Sequence, residues 1–508
     1  MLSRLQSLTL FGLTAHAVEI EVDIHRGLPA FTIVGLPDAS VQEARERVRT
    51  AIKNSNFEFP RQKVVINMAP ADLKKHGPRF DLPMALGILF ATGQVPEPDA
   101  LESSIFIGEL GFTGELRPIT GVLPTVLQAK EMGYEQVFIP EANATEASLV
   151  EGIAVYPAPT LTALLDHLSG TALLSPVMPA EPTPEYTTEV TEHDLCHVKG
   201  QEQAKRALEI AAAGGHNILM TGPPGSGKTM LAKAIRTILP PLSMTERLDI
   251  IRVHSVAGLT SSEDIRHIHR PFRPVHHTAS GVAIVGGGNP PKPGEISLAH
   301  RGVLFLDEFA EFHQKTLEVL RQPLEDGVIT VSRASGTCQF PAQILLIAAM
   351  NPCPCGYATD PEKPCSCSAH QVQRYQQRVS GPILDRIDLH LTVPRIPVEK
   401  YTQSTEPESS ASIRQRVVAA RERQTERFRG TSVTCNAEMT SPLMKRHCAL
   451  PPDAEQLLQT AVRQLHLSGR GYTRVLKLAR TIADLADEEH LTTPHIAEAL
   501  SYRQQTAL

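Results

Sequence analysis

Apolar and acidic residues alternate along Val18-Glu-Ile-Glu-Val-Asp-Ile24, the period of two that places one face of a strand in a core and the other in water. Lys63–Asn67 repeats the pattern. Between them Ala39–Asn54 changes to helical spacing, with Glu43, Arg45, Glu46, Arg47 and Arg49 on a charged face. An extended run at Ile105–Gly108, a glycine turn at Gly111–Gly114, a helix over Thr125–Met132 and a strand over Gln136–Pro140 follow. Strands and helices interleaved in this way predict a mixed α/β unit over residues 1–170.

Pro176, Pro179, Pro182 and Pro184, set among small and acidic residues, mark 171–192 as an exposed, semi-rigid linker. From residue 193 the pattern changes to short, continuous apolar runs: Ile218–Met220, Val303–Leu306 and Ile344–Met350. Such runs suit strands buried on both faces. A helix over Val198–Ile210 leading into the first run, and helical segments between the runs, predict a parallel, doubly wound sheet over 193–397 with its ligand at the strand C-termini. Residues 255–300 read as a long insertion, and Val328–Phe340 as a β-hairpin with Arg333 near its tip. The segment 398–440 is polar and connecting. In it a helix over Glu408–Phe428 carries Arg414, Arg416, Arg421, Arg423 and Arg427, partly balanced by Glu422 and Glu426 as on a solvated face. The remainder, 441–508, is all-helical, with helices over Pro452–Leu467, Tyr472–Ala486 and Thr493–Tyr502.

Composition narrows the function. A chain of 508 residues divides into roughly three or four domains. Its net charge of −6 is not a nucleic-acid signature, so any such contact rests on local basic loops. No apolar stretch reaches the roughly 18–20 residues that cross a membrane, and the N-terminus lacks a signal-peptide pattern. The expectation is a cytoplasmic protein without a membrane partner. Four of the eight cysteines crowd into Cys353-Pro-Cys355 and Cys365-Ser-Cys367. Two close thiol pairs offer four thiolates to a tetrahedral Zn²⁺, and His370 could replace one. The alternative is a redox-inert cluster or a labile disulfide pair. Four protein ligands would leave no open coordination position, so a zinc here is structural.

The strongest chemistry lies in Asn217–Thr229. The apolar run Ile218–Met220 leads into Gly222, Pro223, Pro224, Gly225, Ser226, Gly227, Lys228 and Thr229, and then into a helical pattern. Strand, glycine turn and helix in that order form a phosphate-binding loop. Backbone N–H groups and the helix N-terminus attract phosphate, Lys228 reaches the β- and γ-phosphates, and Thr229 holds Mg²⁺. Gly302-Val-Leu-Phe-Leu-Asp-Glu308 adds a strand ending in two carboxylates. Asp307 suits the Mg²⁺ shell, and Glu308 is placed to deprotonate the attacking water. The expected ligand is ATP with Mg²⁺.

Two resemblances extend this reading. Lys75-His-Gly-Pro78, Phe106–Ile119 and Val137-Phe-Ile-Pro140 resemble the proteolytic domain of Lon-type proteases. That family places its nucleophilic Ser where Arg79 stands and its activating Lys about where Leu123 stands, so the resemblance implies a scaffold or docking module without a Ser/Lys pair. Arg270–Thr278, Pro293–Glu308 and Ser380–Asp388 resemble the magnesium-chelatase-like AAA+ proteins, and more narrowly the ComM/YifB family, which also carries a Lon-like N-terminal domain. This resemblance implies an AAA+ module with a helical lid, assembled as a hexamer, acting as a DNA motor on single-stranded or branched DNA during recombination in natural transformation. The alternatives are the ATPase subunit of a metal chelatase and an ATP-dependent protease. The resemblance gives Asn351 a contact to the γ-phosphate and attacking water. Arg386 becomes a finger to the neighbouring subunit's γ-phosphate, with Arg378 a weaker candidate. Arg470, and second Arg474, becomes the lid's phosphate sensor. Arg266, Arg270, Arg273, Lys292 and Arg333 are expected to face DNA.

Overall fold

The computed structural model describes residues 2–98, 101–179, 193–261, 263, 265, 268–333, 336–396 and 408–503. Its N-terminal unit is built on a seven-stranded mixed sheet. The spatial order is Ala30–Val34, Lys63–Ala69, Thr14–His25, Leu2–Phe11, Ser104–Phe106, Gln136–Pro140 and Ala154–Ala158. The alternation at Val18–Ile24 does what it predicts: Val18, Ile20 and Val22 are fully buried and the acidic residues between them are not. Helix Ala39–Asn54 begins where the Asp38 side chain accepts from Val41 N–H, and it turns Val41, Ala44, Val48 and Ile52 inward.

The ATPase unit contains a five-stranded, wholly parallel sheet ordered Phe272–Val275, Val303–Leu306, Leu345–Met350, Ile218–Thr221 and Leu389–Thr392. Three of these strands are apolar runs legible in the sequence. Phe272–Val275 lies inside the stretch read as an insertion and is instead an edge strand. Pro271 and Pro274 disguise it, and an edge position is where a sheet tolerates proline. Leu389–Thr392 is the other edge, four residues long and too short to stand out.

Helix Ser410–Arg427 is an integral part of the C-terminal unit rather than a connector. Ile413, Val417 and Ala420 share one core with Ile218, Ile347, Leu458, Leu478 and Ile496. Its arginines reach beyond their own helix: Arg416 pairs with Glu209, Arg421 donates to Ala212 O, and Arg427 pairs with Asp484. The solvated-face pairing with Glu422 and Glu426 gives way to these packing contacts.

The two α/β units meet along helix Met244–Ala257, which lies against helix Val122–Glu131. Ile251 enters the core formed by Leu8, Ile105, Val122 and Val126. Arg252 donates to Leu13 O at 3.1 Å, and Gly121 N–H to Ser255 O at 3.1 Å. The turn at Phe11-Gly12 packs on the hairpin Val328–Arg333/Gly336–Pro341, where a Cβ on Gly12 would lie 2.9 Å from that of Cys338. None of the helices among the described residues is long and apolar enough to cross a membrane. The linker residues 180–192 and the segment 397–407 lie outside the described residues.

Candidate nucleotide and metal sites

The phosphate loop runs from strand Ile218–Thr221 to helix Lys228–Ala234. Gly225 and Gly227 take φ of 77° and 89°, the left-handed region that glycine enters without a Cβ penalty. A Cβ on Gly222 would sit 2.1 Å from Val393 O, so that position also excludes a side chain. Lys228 Nζ donates to Gly222 O at 2.8 Å and Pro223 O at 3.0 Å, and it approaches Asn351 Oδ1 at 3.4 Å. Burial lowers its pKa, and Asp307 opposes that shift.

Three neighbouring strands deliver the other groups because their C-termini lie side by side. Met350 pairs with Thr221 across the ladder, which places Asn351 beside the loop. Asp307 follows strand Val303–Leu306, accepts from Thr229 Oγ1 at 3.0 Å and holds the Glu308 N–H at 2.9 Å. Glu308 is a non-glycine residue at φ 51°, a conformation that turns its exposed carboxylate out of the strand direction. His277 Nδ1 lies 2.8 Å from Glu308 Oε2. No local sequence signal pairs them, because the edge strand that carries His277 to this point is disguised by its proline. Oxygen donors from Thr229 and Asp307 fit a hard cation such as Mg²⁺.

Arg386, only 7% exposed, donates to Pro382 O at 2.7 Å and pairs with Glu325. Arg470 pairs with the other oxygen of the same carboxylate at 2.7 Å. Arg474 instead meets Asp388 at 2.5 Å. Burial works against ionisation of Asp388, yet Arg474 and His216 hold its carboxyl far below the usual range. Glu325, which sequence reasoning missed, thus joins the finger candidate to the lid. Arg378 pairs with Glu311 at 2.6 Å.

The four thiols converge. Cys353, Cys355 and Cys365 sulfurs are 3.4–3.6 Å apart, and all four lie within 4.8 Å of one another. A tetrahedron with Zn–S of about 2.3 Å has edges of about 3.8 Å, so the donor set and spacing fit zinc. The thiols bias one another: Cys355 is pulled down, first by the backbone N–H of Tyr357, while Cys365 and Cys367 are pushed up. His370 is not part of this group among the described residues. The knuckle leans on the phosphate loop: a Cβ on Gly356 would lie 2.7 Å from Pro224 Cδ.

The cations expected to face DNA divide. Arg270 is locked by Glu246 at 2.9 Å and by the Pro240 and Arg301 carbonyls, each at 2.7 Å. Arg273 is bidentate to Glu295 at 2.6 and 2.9 Å. Both serve packing rather than a free phosphate contact, which corrects the expectation for them. Lys292 and Arg333 are exposed, and they converge: Lys292 pairs with Gly287 in a small hairpin, over which the Arg333 guanidinium sits. Arg266 lies outside the described residues.

At the Lon-like positions the polar groups are buried and bonded to their neighbours. Arg79 is buried and donates to Thr120 O at 2.8 Å and Thr125 Oγ1 at 3.3 Å. Burial lowers its pKa to about 10, against the pull of Glu146. Leu123 buries its side chain in the core with Ile251 and gives its N–H to Glu146 Oε1 at 2.7 Å, and that carboxylate also accepts from Ser255. Arg79 and Leu123 supply no Ser/Lys pair at these two positions.

Known proteins match along the whole chain. Family models described as magnesium chelatase, subunit ChlI, match residues 194–401 and 20–143, and one for that subunit's C-terminal part matches 407–503. Competence protein ComM of Haemophilus influenzae is 45% identical over 502 residues, covering 98% of this chain and 96% of that one. YifB of Escherichia coli is 43% identical over 503 residues, 99% of this chain and 97% of its own. Lon protease 2 of Bacillus subtilis is 29% identical over 144 residues, 27% of this chain and 26% of that protein.

Proposed function

The chain belongs to the ComM/YifB family of magnesium-chelatase-like proteins, and from that premise we propose that it is a cytoplasmic, ATP-driven DNA motor, working as a hexamer in recombination during natural transformation. The observation that carries the enzymatic part is the convergence of Lys228, Thr229, Asp307, Glu308 and Asn351 at the C-terminal ends of adjacent parallel strands. ATP is the substrate. Lys228 exchanges its loop carbonyls for the β- and γ-phosphates, and Asn351 orients the attacking water. Glu308 takes that water's proton. Thr229 and Asp307 would hold Mg²⁺, which neutralises charge on the phosphate oxygens. Arg386 leaves Glu325 to stabilise the γ-phosphate of a neighbouring subunit, and Arg470 or Arg474 reports lid closure. Zinc on Cys353, Cys355, Cys365 and Cys367 would hold the knuckle against Pro224, a structural role.

The relative named as a competence protein supports DNA as the partner, and Lys292 with Arg333 supplies exposed cations that a ring would repeat in each subunit. Branched DNA should be migrated or unwound by the wild-type protein only with ATP, and not by Glu308→Gln. Migration by that variant at the wild-type rate would reject a hydrolysis-driven motor. An ATPase indifferent to DNA but stimulated by a porphyrin-binding partner would favour the chelatase reading.

A further inference from the structure

We propose that His276, His277 and Glu308 form an inhibitory binding site for a borderline divalent cation such as Zn²⁺ or Ni²⁺, separate from the Mg²⁺ site. The inference rests on Glu308 being the hydrolytic base. One ligand atom from each of these three residues lies within 4.8 Å of the others, and the two imidazole rings are 4.1 Å apart. The His277 Nδ1 atom is buried, 2.8 Å from Glu308 Oε2, yet lacks an aligned hydrogen bond. That leaves a nitrogen and a carboxylate oxygen facing each other across a short gap.

Other contacts hold the set in place. His276 Nδ1 lies 3.0 Å from Thr278 Oγ1 and accepts from the Thr278 N–H at 3.5 Å, contacts that orient the ring. The edge of Phe312 packs on the His277 ring at 6.5 Å between centroids. Glu308 is fixed from behind through its N–H on Asp307 Oδ1. Two imidazoles and one carboxylate suit borderline transition metals, whereas Mg²⁺ prefers oxygen donors alone. Three protein ligands leave a position for water, so a cation can enter and leave. A cation there occupies the lone pair with which Glu308 would accept the water's proton, and turnover stops while ATP stays bound.

The test uses untagged full-length protein with its cysteine site loaded with zinc, and Ni²⁺ as the probe. Calorimetry without nucleotide should show Ni²⁺ binding that His276→Ala and His277→Phe each weaken, by about tenfold or more if they behave as metal-site residues. His277→Phe keeps a ring against Phe312. In ATPase assays at saturating Mg²⁺, the Ni²⁺ midpoint should rise by a similar factor in each variant, relative to that variant's own metal-free rate. Equal midpoints in wild type and both variants would overturn the proposal, as would inhibition relieved by Mg²⁺ alone. Absent Ni²⁺ binding sinks this inference whatever the ATPase does. Absent ATPase with intact Ni²⁺ binding sinks the functional reading instead.

Discussion

The chain carries two clusters of polar side chains set beside glycine turns, and they differ in how far those side chains reach solvent. In the N-terminal unit the polar groups at the Lon-like positions are spent on neighbours. Arg79 is buried on Thr120 and Thr125, and Glu146 accepts from Leu123 and from Ser255 of the other unit. In the ATPase unit the corresponding groups face outward. Thr229 and Glu308 are exposed, nothing stands within 4 Å of a Cβ on Gly225, and Glu308 adopts a left-handed backbone to present its carboxylate. A buried cluster acts as a joint, and an exposed one as a site. Substitutions in the first should therefore cost stability, and in the second turnover.

The largest effects should come from Arg386 and Glu308, beginning with Arg386→Ala. Subunits carrying it should bind ATP but hydrolyse it about 10³-fold more slowly, the usual contribution of an arginine finger. Mixing them with Lys228→Ala subunits should restore part of the activity, because one supplies the finger and the other an intact pocket. No rescue at any ratio, with assembly verified by sedimentation, would place Arg386 in a purely structural pair with Glu325. Glu308→Gln should lower kcat by about 10²–10⁴-fold while leaving nucleotide affinity in place, since an amide cannot accept a proton. A normal kcat would show that the base lies elsewhere.

The cysteine knuckle sharpens the contrast, for it is a joint placed directly against the site. Metal analysis should find about one zinc per chain. Replacing Cys353 and Cys365 together by Ser should remove it and lower the melting temperature, because metal binding and local folding are coupled. Metal-free protein that melts as the wild type does would dismiss the zinc. The smallest effect on turnover belongs to Glu146→Ala. It leaves Leu123 N–H and Ser255 Oγ without their acceptor, which costs about 1–3 kcal/mol of stability. The KM for ATP should hold while melting moves down. The reverse outcome, unchanged melting with lost ATPase, would mean that this buried cluster takes part in catalysis.

How much of this was legible in the sequence follows the same division. The phosphate loop, the Asp307-Glu308 strand and Asn351 were readable because long apolar strands and glycine turns leave local signatures. The cysteine spacing likewise implied the cluster that the fold assembles. What escaped was long-range or disguised. The strand Phe272–Val275 contains a proline that only an edge position permits, so His277 was not placed beside Glu308. Glu325 gives no local sign that it receives Arg386 and Arg470 from two distant segments. Arg270 and Arg273 read as free cations because their acidic partners, Glu246 and Glu295, are more than twenty residues away. Burial decided their role, and periodicity does not report it.

The most direct test of the central claim is the steady-state ATPase rate of the purified protein, measured without DNA and then with single-stranded, duplex and forked DNA over a range of salt. The expected result is a rate raised by DNA, most by single-stranded or branched forms. That stimulation should fade as salt rises because phosphate contacts carry it, and Arg333→Ala should weaken it more than the basal rate. A rate identical with every form of DNA, at low salt and with ATP saturating, would contradict the account.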